Sequence, residues 1–360
     1  MTVGDHLRGL APDAFVESDV RFMRHTWRFG EPVMGAVNPP GAEPPISLWM
    51  VQRSVFDFAL ANRAAGAGAD LRDGAAVRKI EIDGRTVTVR SVLESGGEEA
   101  LTADYVVGAD GANGVTARAA GLRQDRALAI ALEVELPFDW RTSPHPDLRP
   151  DVCHLEYGAV SRGYAWVFPK RNHLNIGAGV FRPRRPDGRG DASVRAMLQE
   201  TICRYIESLS IPHQRDALRF WAHPLPIWRG REPVQGHGGR VLLAGDAAGL
   251  VNPFFGDGIL HAVRSGEIAG RCLAEGAAAD YTNRIHAEFA ANFDSAEKLA
   301  RFFYQWPALC YRQGVRRENA TRAAARLLCG EALFTDVASR VLRRLRTSLP
   351  AARQPSDQTS

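Results

Sequence analysis

The sequence lacks several features that would define its chemistry at once. No run approaches the ~18 apolar residues of a membrane-spanning helix. The opening residues, Met1 to Leu10, carry charges and no apolar h-region, so no signal peptide is expected and the protein reads as cytoplasmic. The five cysteines (Cys153, Cys203, Cys272, Cys310, Cys329) are scattered with no C-x-x-C, which favours reduced, buried thiols over disulfides. The ten histidines show neither H-x-x-x-H nor His/Cys clustering, and no metal is expected. Lysine is scarce: of 45 basic residues, three are lysines, Lys79, Lys170 and Lys298. The net charge of +4 is not gathered into a stripe, because the arginines are interspersed with acids and aromatics do not alternate with them. No nucleic-acid partner is expected. The sequence also lacks an apolar strand that runs into G-x-G-x-x-G.

What remains is an ordinary globular composition, 45% hydrophobic and 24% charged over 360 residues, enough for one large or two modest domains. Met1 to Pro45 reads as short alternating pieces and a Pro-rich loop. Ile46 to Val51 predicts a strand, and a helix follows with Ser54 as N-cap, ending at Gly66. Val77 to Ile82 and Thr86 to Val92 alternate around Asp83-Gly84, which predicts a hairpin with a type I′ turn. Leu101 to Val107 predicts one more strand, running into Gly108-Ala-Asp110-Gly111-Ala-Asn113-Gly114. Leu128 to Leu136, Val152 to Gly158, Gly163 to Phe168 and His173 to Val180 predict a mostly antiparallel sheet. Helices are expected at about 193–208, 257–275, 283–306, 318–329 and 335–346, and a strand at 218–224. Residues 348–360 are polar and expected to be disordered.

The stretch from 240 to 270 carries the most chemistry. A short apolar run, Val241 to Ala244, predicts a buried strand. It ends in Gly245-Asp246, and a Gly/Pro-rich turn with Pro253, Gly256 and Gly258 leads into a helix expected to begin at about Asp257 or Gly258. At the carboxyl end of a parallel strand, the Asp246 carboxylate can accept a hydrogen bond from a polyhydroxyl ligand; alternatively it caps a local helical turn. The glycines and helix favour the ligand, because converging N–H groups carry about half a positive charge. Gly256 and Gly258 would let the backbone approach the ligand. Asp110-Gly111 ends a second strand in the same way and becomes specific only when paired with the first.

The segments Val106-Val-Gly-Ala-Asp-Gly-Ala-Asn and Leu243-Ala-Gly-Asp-Ala-Ala-Gly-Leu-Val-Asn-Pro-Phe-Phe-Gly-Asp-Gly-Ile resemble the second and third fingerprints of flavoproteins with the p-hydroxybenzoate hydroxylase fold. Between them, Gly163-Tyr164-Ala-Trp166-Val-Phe168-Pro169-Lys, followed by Gly177-Ala-Gly179, resembles the Tyr-x-Trp-x-Phe-Pro strand of the geranylgeranyl reductase branch. Ser265-Gly266, Trp306-Pro307 and Gly330-Glu331 suit that branch too. The resemblance covers residues 46–346.

It implies an α/β fold: a Rossmann-like FAD domain interleaved with an antiparallel-sheet α+β substrate domain and a C-terminal helical region. The boundaries expected are 1–45 with the substrate domain, 46–117 FAD domain with the hairpin, 118–235 substrate domain, 236–280 FAD domain, 281–347 helical and 348–360 tail. It implies FAD, with Asp246 on the ribityl chain, Asp110 and Gly111 supporting a loop that packs on the cofactor, and Arg53 reaching it. Gly245, Pro253, Gly256, Gly258 and Ile259 would complete that site. Arg53 has the alternative of a surface residue at a helix start. Tyr164, Trp166, Phe168 and Pro169 would line the substrate cavity, the alternative for the aromatics being ordinary sheet core.

The implied reaction is reduction of prenyl C=C bonds of an isoprenoid or other apolar substrate, with electrons from an external donor, NAD(P)H or a redox protein. A flavin monooxygenase or quinone-linked dehydrogenase is the alternative on the same fold. Family members open with a strand and G-x-G-x-x-G that this sequence lacks. The expectation is a chain starting after that unit, with weak FAD binding and an exposed sheet edge, or a flavin-free remnant. Val337, Val341, Leu342 and Leu345 lie opposite Arg340, Arg343, Arg344 and Arg346, a basic amphipathic face for peripheral membrane contact or for ordinary packing.

Overall fold

Strand periodicity decides the architecture, and the first strands already show it. The structure is a computed structural model that describes residues 14–125, 127–181 and 191–337. β1 (Val16–Val20), β2 (Phe22–Trp27) and β3 (Gly30–Ala36) open it, and β4 (Leu48–Val51) returns antiparallel to β1. The first helix, α1 (Arg53–Gly66), begins one residue before the expected cap. Its N-cap is Gln52, with no side-chain hydrogen bond. Ser54 is therefore not the cap; the bidentate Arg53–Asp57 pair spans the first turn instead.

β5 (Ala75–Ile82), β6 (Val87–Leu93) and β7 (Glu98–Ala103) form a three-stranded antiparallel sheet. The predicted hairpin is present, but its turn is not type I′. Gly84 alone of the turn has positive φ, while Asp83 keeps an ordinary φ and its carboxylate accepts from the N–H groups of Arg85 and Thr86. The single strand expected at 101–107 is split. β7 stays with the hairpin, and β8 (Val106–Gly108) starts a different sheet. The chain changes sheets where Arg240 Nη1 donates to the Asp104 carbonyl and Val106 N–H donates to the Arg240 carbonyl.

After α2 (Thr116–Ala119) come β9 (Ala127–Pro137), β10 (Val152–Tyr157), β11 (Gly163–Pro169) and β12 (His173–Phe181), then α3 (Asp191–Ser208) and β13 (Trp221–Ile227). The seven-stranded sheet has the order β13-β9-β12-β11-β10-β2-β3, with one parallel pairing, β10 to β2. β14 (Gln235–Gly236) and β15 (Val241–Leu243) follow. β15 pairs parallel with β8, which is one edge of that small sheet among the described residues, opposite β14, with Val107 exposed. α4 (Ile259–Ala274), α5 (Tyr281–Gln305), α6 (Pro307–Cys310) and α7 (Glu318–Leu328) complete the described chain.

The large sheet sorts its side chains by parity. Leu132, Val134, Val167, Leu174, Ile176 and Ala178 pack with Leu198, Ile202, Tyr205 and Ile206 of α3 into one core. The other parity faces a cavity. A second core joins β15 to α4 and α5 through Val241, Leu242, Leu243, Ala269, Ile285 and Phe293. Among the described residues no helix is long and apolar enough to cross a membrane. The basic face expected beyond Val337 lies outside the described residues, as does the 348–360 tail.

Ile206 is fully buried against the sheet. Ile206→Ala should lower unfolding free energy by about 2–5 kcal/mol, the usual cost of truncating a core isoleucine. Urea denaturation checks this, and a loss below ~1 kcal/mol would place the residue at the margin of the core.

Candidate functional site

The cavity between the large sheet, the Asp246 turn and helices α5 to α7 has a volume of about 2530 Å³. That exceeds ordinary small-molecule pockets of about 300–1,000 Å³, leaving room for a cofactor and a long apolar ligand together.

At one end lies the turn after β15. Gly245 sits at positive φ and its N–H donates to Ser265 Oγ of α4 at 2.9 Å, fixing the turn against that helix. Tyr281 O–H donates to the Leu243 carbonyl at 2.7 Å and anchors the strand end from α5. The carboxylate of Asp246 makes no hydrogen bond among the described residues, and burial raises its pKa against the opposing pull of Arg53. It points at the N-terminus of α4: a Cβ on Gly258 would lie 3.3 Å from Asp246 Oδ1. Gly256 has φ +78°, a backbone conformation that favours glycine. The first amides of α4 have no intrahelical acceptor, so a half-buried acid and a helix N-terminus converge on one space.

Most of the expected residues meet there. Arg53, Asp110, Gly111, Gly245, Asp246, Gly256, Gly258 and Ile259 all line the cavity. Asp110 supports the structure locally: its Oδ2 accepts from both the N–H and the hydroxyl of Thr116, each at 2.9 Å, tying the loop to α2. Arg53 is engaged by Asp57 yet remains within electrostatic reach of Asp246. Pro253 is a correction: it is buried and does not reach the cavity wall, which Phe254 and Phe255 form in its place.

The aromatic strand divides by parity. Tyr164, Trp166 and Phe168 face the cavity, with Trp166 and Phe168 stacked at 5.8 Å. Pro169 is the second correction, since the next residue along a strand points to the opposite face, and it is buried there. Trp166 Nε1–H donates to Asn175 Oδ1 at 2.8 Å, and Tyr164 O–H donates to the Phe255 carbonyl. Burial pushes the Tyr164 phenol well up, aided by the nearby Asp257.

Sequence reasoning missed the polar row beside these aromatics. Glu133 and Glu135 on β9, Lys170 directly after β11, Asn175 on β12 and His223 on β13 share the cavity side. Each looks unremarkable in sequence; strand pairing alone assembles them. Lys170 Nζ donates to the Val51 carbonyl at 2.6 Å, and Asn175 Nδ2 donates to Glu135 Oε1 at 3.2 Å. The far end is apolar, walled by Leu155, Phe303, Leu309, Ala324, Leu327 and Leu328.

Comparison with known proteins identifies the family and the fold. The family model "FAD binding domain" matches residues 22–283. Digeranylgeranylglycerophospholipid reductase 1 of Methanopyrus kandleri is 30% identical over 292 residues, 76% of this chain and 74% of that protein. The chloroplastic geranylgeranyl diphosphate reductase of Oryza sativa subsp. japonica is 31% identical over 247 residues, 64% of this chain but 48% of the rice protein. The match therefore spans about half the length of that relative. A geranylgeranyl bacteriochlorophyll reductase-like protein of Thermoplasma acidophilum has the same fold, with TM-score 0.69 and 18% identity over 98% of this chain and 86% of that one.

The raised Asp246 carboxyl fixes a sign. The folded state holds its proton more tightly than the unfolded state, so this contribution to stability is present at low pH and lost as pH rises through the folded-state pKa. Asp246→Asn should melt with the wild type near pH 4 and above it at pH 7, in the absence of added flavin. Thermal melts at both values check this; a variant less stable at pH 7 would show that Arg53 outweighs the burial.

Proposed function

Because this chain belongs to the geranylgeranyl reductase family of FAD-binding oxidoreductases, we propose that it reduces C=C bonds in the prenyl chain of an apolar substrate. The observation that carries this reading is the single cavity with the Asp246 turn at one end and an apolar pocket under α5 to α7 at the other. FAD is the cofactor, and the residues present fit it. Asp246 has a carboxylate with no hydrogen-bond partner among the described residues, available to a ribityl hydroxyl, and Gly256 and Gly258 leave room where side chains would intrude. Bound and reduced, FAD supplies the hydride equivalent for the alkene.

The chain's own residues bind, orient and exclude water. The N-terminus of α4 opens on the cavity beside Asp246, and its dipole would favour negative charge on a reduced ring held there. Trp166 is held by Asn175 and stacked on Phe168, so its ring is a fixed wall instead of a mobile one. Phe254 packs against Phe303 and Tyr304, whose O–H donates to the Phe254 carbonyl at 2.7 Å; together they close the aromatic side of the chamber. Beyond them the lining is mostly apolar, and burying a long isoprenoid against it is worth about 25 cal/mol per Å². Electrons come from an external donor, a nicotinamide nucleotide or a redox protein.

Loss of the Asp246 acceptor should weaken FAD binding. A hydrogen bond to a charged group is worth about 1.5–3 kcal/mol, so Asp246→Ala should raise the FAD Kd by roughly 10- to 150-fold. Flavin fluorescence titration reads this, and an unchanged Kd would remove Asp246 from the site. At the apolar end, Ala324→Phe should shorten the pocket. With photoreduced protein under anaerobic conditions, flavin reoxidation by a twenty-carbon prenyl substrate should need higher substrate concentration, while a ten-carbon substrate is unaffected. Equal losses for both lengths would place the chain elsewhere.

A further inference from the structure

Saturating an alkene takes a proton as well as a hydride, and the polar row on the large sheet contains a pair suited to provide it. His223 on β13 lies diagonal to Glu133 on β9, in a register that pairs Ala131 with His223 and Glu133 with Trp221. His223 Nε2 is 3.1 Å from Glu133 Oε1, and Nδ1 has no hydrogen-bond partner among the described residues. Both residues line the cavity. The pair sits toward the cofactor end, since the Arg53 guanidinium interacts with both Asp246 and Glu133. The His223 side chain is 52% exposed and the Glu133 side chain 25%, so the imidazole has access to both cavity and water.

We infer that His223 is the acid that protonates the alkene carbon left without the hydride, with Glu133 positioning the imidazolium. This rests on the prenyl-reductase reading above. Hydride from the reduced flavin forms one C–H bond as the π bond breaks. The π electron pair takes the proton from His223 and forms the second. The flavin leaves oxidised, and the neutral imidazole regains its proton from water.

The surroundings favour this assignment over the buried histidine, thiol and phenols of the same cavity. The hydrogen bond to Glu133 raises the His223 pKa, outweighing burial, with the carboxylate charge adding to it and Arg53 on α1 opposing. Burial resists the charge on Glu133, but hydrogen bonding from His223 and Asn175 and the charges of His223 and Lys170 outweigh it and hold its pKa low. Both shifts favour the charged pair, imidazolium beside carboxylate, over the neutral one. His25, by contrast, is buried and lowered to about 4, so burial favours its neutral form. Burial also drives up Cys153, to about 12, and the phenols of Tyr157 and Tyr164, which makes them poor acids. A surface ion pair holding two strands together would explain the distance equally well, so the test reads more than stability.

The full-length protein is loaded with FAD, photoreduced without oxygen, and mixed with a geranylgeranyl substrate from pH 5 to 9; saturated product and flavin reoxidation are both followed. For the wild type the rate should fall as pH rises through the His223 pKa, because the protonated form is the donor. His223→Gln should lose at least ~100-fold in rate, as expected for removing a general acid, with a flat profile over this range and FAD affinity unchanged. Glu133→Gln should shift the wild-type midpoint to lower pH, and the His223 imidazole resonances in NMR should titrate at the same lower value. His223→Gln within threefold of the wild-type rate, or a Glu133→Gln profile that keeps its midpoint, would overturn the assignment. A wild type that binds FAD but saturates no prenyl bond would overturn the reductase reading itself. The NMR titration would then still show whether Glu133 raises the imidazole pKa.

Discussion

The two-residue period of the large sheet is the constraint on which the rest depends. Along β9, β11 and β12 one parity is committed to α3: Leu132, Val134, Val167, Leu174 and Ile176 fill the core and cannot turn outward without emptying it. That commitment forces Glu133, Glu135, Trp166, Phe168 and Asn175 onto the other face, where they wall the cavity. A one-residue slip of β11 would send Trp166 into the core and bring Val167 to the chamber. The packing that stabilises the fold and the lining that defines the site are therefore one structural decision.

The second element of the site is built differently. The Asp246 turn owes little to sheet parity and much to local constraint. Ser265 Oγ accepts the Gly245 N–H, Tyr281 holds the Leu243 carbonyl, and positive φ at Gly245 and Gly256 sets the path of the chain. These contacts hold a half-buried carboxylate without a hydrogen-bond partner among the described residues, at a cost in stability above its pKa. Such a cost is expected where a group is kept ready for a ligand that the free protein cannot replace.

This difference in construction explains what was legible in the sequence. The Asp246 turn, the Asp110 turn and the Tyr-x-Trp-x-Phe strand are each contiguous, so their residue types and spacing were readable, and eight of the nine residues expected at the cofactor line the cavity. Pro253 and Pro169 were placed by belonging to a motif, and neither reaches the wall: a motif records chain neighbours, whereas a cavity records faces. Parity along β11 assigns Pro169 to the far side from its register alone. His223 and Glu133 were out of reach for the opposite reason. They are 90 positions apart and become neighbours only through the pairing of β13 with β9. The split of the predicted 101–107 strand has a similar cause, since Arg240 draws β8 away from β7 by contacts distant in sequence.

Cavity, cofactor end and apolar end combine into one claim: the chamber holds a prenyl chain beside the flavin and saturates it. The most direct measurement is the mass of the product after anaerobic incubation of the FAD-loaded, reduced protein with a geranylgeranyl substrate. The account predicts product heavier by two hydrogens for each bond reduced, with no oxygen incorporated. An unchanged chain under these conditions, with an oxygenated product appearing once air is admitted, would contradict it.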